Sequence, residues 1–145
     1  MGTFAFWQRW LFVAALLVVI FGLLIALLSG SALFDTVFNH QINPAFWDSK
    51  TVDSATQEFQ RWSYGALGAT VAGWGVFLAY MAHYPFRRRE RWARDCLTAG
   101  IGLWFVVDTG LSLYHQVYFN AFAVNLPLLI IIALPLWFTR GEFQA

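Results

Sequence analysis

At 145 residues, with 59% of them hydrophobic and only 12% charged, the chain is too apolar for a soluble domain, where charged residues make up about 25%. A net charge of +1 argues against a general nucleic-acid surface, and a single cysteine, Cys96, excludes an internal disulfide and a cysteine-based metal cluster. Composition therefore predicts an all-α integral membrane protein of one domain, 1–145, without internal repeats.

Leu11 to Leu28 is an almost unbroken apolar run. With Phe4 to Trp10 before it, it predicts a first spanning helix over about 6–28, since a crossing needs about 20 residues. Arg9 ahead of this run and Ser29-Gly30-Ser31 behind it have the outline of a secretory signal. The run exceeds the usual signal core of ~7–15 residues, however, and its head carries Phe4, Phe6, Trp7 and Trp10, so a retained helix is expected.

Residues 29–53 form the long polar connection. Asp35, Asn39, His40, Asn43, Asp48 and Lys50 are interleaved there with Leu33, Phe34, Val37, Phe38, Phe46 and Trp47. Leu33, Phe34, Val37 and Phe38 follow a helical stripe, which predicts a partly helical cap lying apolar side down. Pro44 after Asn43 marks a turn or a helix start.

Ser54-Ala55-Thr56-Gln57 has capping-box form and opens a second helix over about 54–84, stopped by Pro85. Gly65, Gly68, Ala69, Ala72, Gly75, Ala79 and Ala82 give it a smooth side for close backbone packing. Packing within the bundle is the expected use; a homo-oligomer seam through Gly65, Gly68, Ala72 and Gly75 is the alternative. An arginine-rich loop, 85–92, leads to a third helix over about 93–118. A fourth, over about 120–138, carries Asn125, Pro127 and Pro135, with a kink expected near Pro127.

Four spans place both termini and the arginine loop on one side, with Arg9, Arg87, Arg88, Arg89, Arg91, Arg94 and Arg140. The other side carries only Lys50 and Arg61, beside Asp35, Asp48, Asp53 and Glu58. The positive-inside rule then predicts a four-transmembrane-helix bundle, multi-pass in the inner (plasma) membrane, N-in and C-in, with an extracytoplasmic cap between helices 1 and 2. The arginine loop itself reads as a topology signal in contact with anionic lipid headgroups.

Asp108 is the anomaly in this apolar frame. A carboxylate at mid-membrane costs about 2.5–3.5 kcal/mol on insertion scales, so it should face protein, water or a partner. It lies about 14 residues, or ~21 Å, beyond Arg94, in the outer half. Ser112 and His115 share its face at i+4 and i+7, and Arg61 and Tyr64 enter the same half from the second helix, Asn120 and Asn125 from the fourth. The expected site is an outward-facing cavity with Asp108 as floor and Arg61, Tyr64, Ser112, His115 and Asn125 as walls. The competing expectation is a structural Asp108–Arg61 pair, with the asparagines as interhelical glue.

Asp108, His115, His40, Glu58 and Asp35 are metal-ligand types, but no short ligand spacing joins them, and no metal site is assigned. Ser112, Asp108 and His115 stand in a column on one helix without an oxyanion site, so no catalytic residue is assigned either. The expected function is binding of a small or lipid-like ligand, or of a membrane-protein partner, without catalysis and with no cofactor specified. The alternatives are a haem- or quinone-binding redox enzyme or its subunit, using His40, His115 or Arg61, and a structural accessory subunit of a membrane complex. No motif ties the chain to a family.

Overall fold

A computed structural model describes residues 3–143. The protein is 85% helical, with no strand among the described residues. Four helical spans are long and apolar enough to cross a membrane. They are α1 (Thr3–Leu28), α2 (Ser54–His83), α3 (Arg91–Tyr114) and a composite span, Asn120–Phe138. The last begins with a π-helical turn, Asn120–Asn125, and continues as α4 (Leu126–Phe138).

The closest packing joins α1 to α2. A Cβ added to Gly22 would lie 2.3 Å from the Ala72 backbone nitrogen, and one on Gly68 would lie 2.4 Å from that of Ala26. Gly75 meets Val19 in the same way, at 2.7 Å. Small residues let two backbones touch, which is how helices gain dispersion energy where lipid removes the hydrophobic drive. The small-residue face of α2 is thus filled by α1 of the same chain at Gly68, Ala72 and Gly75, while Gly65 has only Ala26 O, at 4.0 Å.

The apolar core gathers at the end that holds the arginine loop. Leu11, Ala14 and Ala15 of α1 meet Leu78, Ala79 and Ala82 of α2, Leu97 and Ile101 of α3, and Ile132 and Leu136 of α4. Phe86 is fully buried, between Phe4 (ring centroids 5.9 Å) and Phe143 (4.9 Å). Arg89 lies 4.7 Å from the Phe4 ring centre and 3.3 Å from the Glu142 carboxylate, fastening both chain ends to the loop.

Side chains complete the backbone where prolines interrupt it. Pro135 has no N–H to give the Ile131 carbonyl, and the Trp10 indole N–H donates to that oxygen instead, at 2.9 Å. Near Pro85, the Phe86 N–H bonds to Met81 O, and the Ala82 carbonyl is met by the buried amide of Gln8 at 3.0 Å. Both bonds fasten α1 to a neighbouring helix.

At the opposite end, residues 32–47 fold as short helical turns, including a π turn at Asp35–Asn39. Phe34 and Phe38 stack on each other at 4.7 Å and face the bundle, Phe34 against Tyr64 and Phe38 against Phe21. Leu33 and Val37 do not share that face and are exposed, so the expected four-residue stripe is split. Asn43 ties the cap down by donating to Lys50 O and accepting from the buried Gln60 amide at 2.8 Å.

Two local expectations are corrected. The N-cap of α2 is Asp53, not Ser54. Asp53 is extended, and its carboxylate accepts from the Ala55 and Thr56 N–H groups at 3.0 and 3.1 Å. The Thr56 hydroxyl donates to it as well, and these bonds, that one foremost, hold the Asp53 carboxyl below its ordinary range. Gln57 donates to Val52 O rather than closing a box on Ser54. α3 ends at Tyr114, short of the expected 118, because Gln116 adopts a left-handed conformation (φ 61°) that turns the chain towards the fourth span.

Gly22→Ala is expected to destabilise the protein by about 3 kcal/mol, the upper part of the overpacking range, because the clash is with backbone that cannot rotate away. Gly100→Ala, with open space around it, should stay within about 0.5 kcal/mol of wild type. Reversible unfolding in mixed micelles measures both.

Candidate functional site

Asp108 sits on α3 beyond the stretch that the apolar core holds. Trp104, one turn earlier, donates its indole N–H to Asp108 Oδ2 at 3.1 Å. Asn120, the first residue of the second π turn, donates its amide to Asp108 Oδ1 at 3.0 Å and to Ser112 Oγ at 2.8 Å. The buried Ser112 hydroxyl donates to the Asp108 backbone carbonyl at 2.8 Å and lies 3.4 Å from Oδ1. Because Ser112 gives its proton to that carbonyl, its Oγ accepts from Asn120, so the amide nitrogen of Asn120 is the atom that faces the pair.

A second rung lies beside the first. Asn125, 1% exposed, donates to Thr109 Oγ1 at 3.1 Å, and its own Oδ1 has no hydrogen-bond partner. In a regular α-helix residues 120 and 125 would point about 140° apart. The wide π turn lets both amides reach α3. Pro127 is its local cause: it cannot donate to the carbonyl four residues back, and the Leu126 N–H bonds five residues back to Ala121 O.

The cap contributes the other π turn. Asn39 in it donates to Asp35 at 2.6 Å, is 6% exposed, and has an Oδ1 without a partner. Phe38 meets Phe119, the residue before the second π turn, edge-on, with ring centroids 5.8 Å apart. Widened turns of this kind are frequent at functional sites.

The six residues expected around one cavity are distributed differently. Asp108 and Ser112 share a hydrogen-bonded cluster, and Asn125 is on the adjacent rung. Tyr64 packs under the cap, 5.2 Å from Phe34. His115 lies past the end of α3, against Phe46 (5.5 Å) and Tyr114 (4.9 Å), which breaks the expected helical column. Arg61 lies over Gly30, where a Cβ would be 3.1 Å from its Nε.

The Asp108–Arg61 pair is not formed. The ion pairs among the described residues are Arg89–Glu142, Arg91–Asp95 and Arg94–Asp95, all at the arginine end. Trp104 and Asn120 occupy the Asp108 oxygens in place of a guanidinium. Trp104 and Thr109 are the members that sequence reasoning missed, and Trp104 was findable as the i−4 neighbour of Asp108. Asn120 was expected in the outer half as interhelical glue, but its assignment to Asp108 required the turn geometry.

A cavity of about 780 Å³ lies at the other end of the bundle, along α1 near Arg9 and Trp10, not over Asp108. Among the described residues no group of three His, Cys, Asp or Glu is placed to hold a metal ion. Compared with protein-family models, curated proteins and solved structures, the chain matches none.

Asn120→Ala should destabilise the protein by about 1.5–3 kcal/mol, the range for a hydrogen bond to a charged group. Its effect should fall to about 0.5–1.5 kcal/mol in an Asp108→Asn background, which keeps an acceptor but not the charge. Arg61→Ala and Asp108→Asn should instead be additive within about 0.5 kcal/mol, since the two groups do not touch. Double-mutant cycles by unfolding in micelles separate the two pairs.

Proposed function

We propose that this is a small multi-pass protein of the inner (plasma) membrane, with both termini cytoplasmic and the 29–53 cap outside, whose Asp108 site binds a small amphiphilic ligand with a cationic group, without catalysis. The observation that carries this reading is the Asp108 carboxylate itself. It accepts from two neutral donors, Trp104 and Asn120, and forms no ion pair among the described residues. It also lies about 9 Å inside the cap end of α3 by helix rise. At that depth a bare anion is costly, and a ligand cation supplies the missing countercharge. Trp104, whose ring lies 5.8 Å from that of Trp74, adds an indole face beside the carboxylate, and indoles attract organic cations. Ser112 spends its proton on a backbone carbonyl, an arrangement suited to holding a site together rather than to nucleophilic attack.

The two asparagine rungs support a second reading, in which the same cluster fastens α3 to the fourth span and the chain is an accessory subunit. Tetraphenylphosphonium and its anionic counterpart tetraphenylborate separate the two. Wild-type protein in nanodiscs should bind the cation selectively, and Asp108→Asn, still folded, should lose about tenfold in affinity, equivalent to ~1.4 kcal/mol. Equal cation binding by Asp108→Asn would count against the ligand site and leave the fastening role.

The orientation rests on the arginine asymmetry. Alkaline phosphatase fused after residue 50 should be active, and the same enzyme fused after residue 89 inactive; the reverse pattern would invert the proposed topology.

A further inference from the structure

We propose, on the cationic-ligand reading of Asp108, that the site selects a quaternary ammonium headgroup over a primary ammonium of the same charge, and that Trp74 of α2 sets this preference together with Trp104. The carboxylate is faced by N–H groups: the Trp104 indole on Oδ2 at 3.1 Å and the Asn120 amide on Oδ1 at 3.0 Å. Ser112 spends its proton on the Asp108 backbone carbonyl, and its oxygen accepts from Asn120 at 2.8 Å. The surroundings of the anion are thus rich in donors, and its nearby acceptors are already engaged.

A primary ammonium brings three N–H donors, and each needs an acceptor once it leaves water. Here it would compete with Trp104 and Asn120 for the same two carboxylate oxygens. A quaternary ammonium carries the same charge on a shell of alkyl groups. It has no N–H to satisfy, leaves both native hydrogen bonds in place and still supplies the countercharge.

The aromatic rings favour the same class. The N–H bond of an indole lies in the ring plane, so the two faces of Trp104 flank the line from its Nε1 to Asp108 Oδ2. A cation that approaches Oδ2 from either side of that line meets a π face, the arrangement used to recognise methylated ammonium groups. Trp74 extends the surface, its ring centroid 5.8 Å from that of Trp104 and its plane at 43°. Phe105 adds a third ring, 6.4 Å from Trp104 and at 61°. Trp74 belongs to α2, so the preference depends on a helix other than the one that carries the charge. Trp74, Trp104 and Asp108 are half-buried rather than sealed, and Leu103 and Val107, their sequence neighbours on α3, are exposed. An alkyl chain attached to the headgroup therefore passes directly into lipid.

Octyltrimethylammonium and octylammonium carry the same charge and the same chain. Their binding to the full chain in nanodiscs is measured by equilibrium dialysis, with empty nanodiscs as the reference for partition into lipid. Wild type should bind the trimethyl cation roughly fivefold more tightly, the scale of one cation–π contact. Trp74→Leu should bring the ratio near unity while both cations still bind. Trp74→Phe, which keeps a weaker ring, should retain a preference of about twofold. Trp137→Leu, beside Arg140 at the arginine end, should leave the ratio unchanged. Asp108→Asn should weaken both cations about tenfold. Asp108-dependent binding of both cations with equal affinity, or a preference that survives Trp74→Leu, would overturn the selectivity and leave the cationic-ligand reading standing. Should the leucine variant not fold, an undiminished ratio in Trp74→Phe would overturn it equally. Binding that Asp108→Asn does not weaken would overturn the cationic-ligand reading, and the selectivity with it.

Discussion

The contact between the α1 and α2 backbones is the constraint on which the rest of the structure depends. Gly22 and Gly68 bring the two helices together backbone to backbone, and Ala72 and Gly75 extend that close contact along α2. That pair forms the frame onto which the cap, α3 and the fourth span are added. The frame is strongest along its middle, where aliphatic residues alone would give only lipid-like contacts. α3 relies on it less: its buried residues are Ala93, Leu97 and Ile101 at the arginine end and Ser112 at the other. Its attachment is therefore apolar at one end and hydrogen-bonded at the other.

Backbone satisfaction organises the remaining contacts. In a dry environment an orphaned carbonyl is costly, so each proline in or beside a span needs an answer. At Pro135 the answer is the Trp10 indole, and near Pro85 it is the Gln8 amide. At Pro127 the chain widens into a π turn, which carries Asn120 and Asn125 to α3. The first two answers attach α1 to its neighbours. The third creates the polar cluster around Asp108. Places where helix geometry is interrupted are thus the places where this bundle is tied together.

The residues differ in how legible they were. Asp108 and Ser112 share a face by helix period alone, and they do meet. The small-residue face of α2 was visible as a packing surface, and α1 fills it. His115 was read on the same column, but periodicity cannot see that Gln116 turns left-handed and ends the helix early. Arg61 looked like the natural partner of Asp108 by charge, yet a carboxylate in a tight seam is reached by whichever donors the backbone delivers. Here those are Trp104 and Asn120. Asp53 took the capping role from Ser54 because its carboxylate accepts two backbone N–H groups at once.

Composition and apolar run length alone determined the class of this protein: all-helical, with four segments able to span a membrane. These are properties of single segments, set by the hydropathy of about 20 residues and by local breakers such as Pro85. The partners of Asp108, the placing of the cavity beside Arg9 and the contact of Phe38 with Phe119 were decided only in three dimensions. They depend on which helices lie side by side and on where a missing N–H must be replaced, and neither is encoded within one helix.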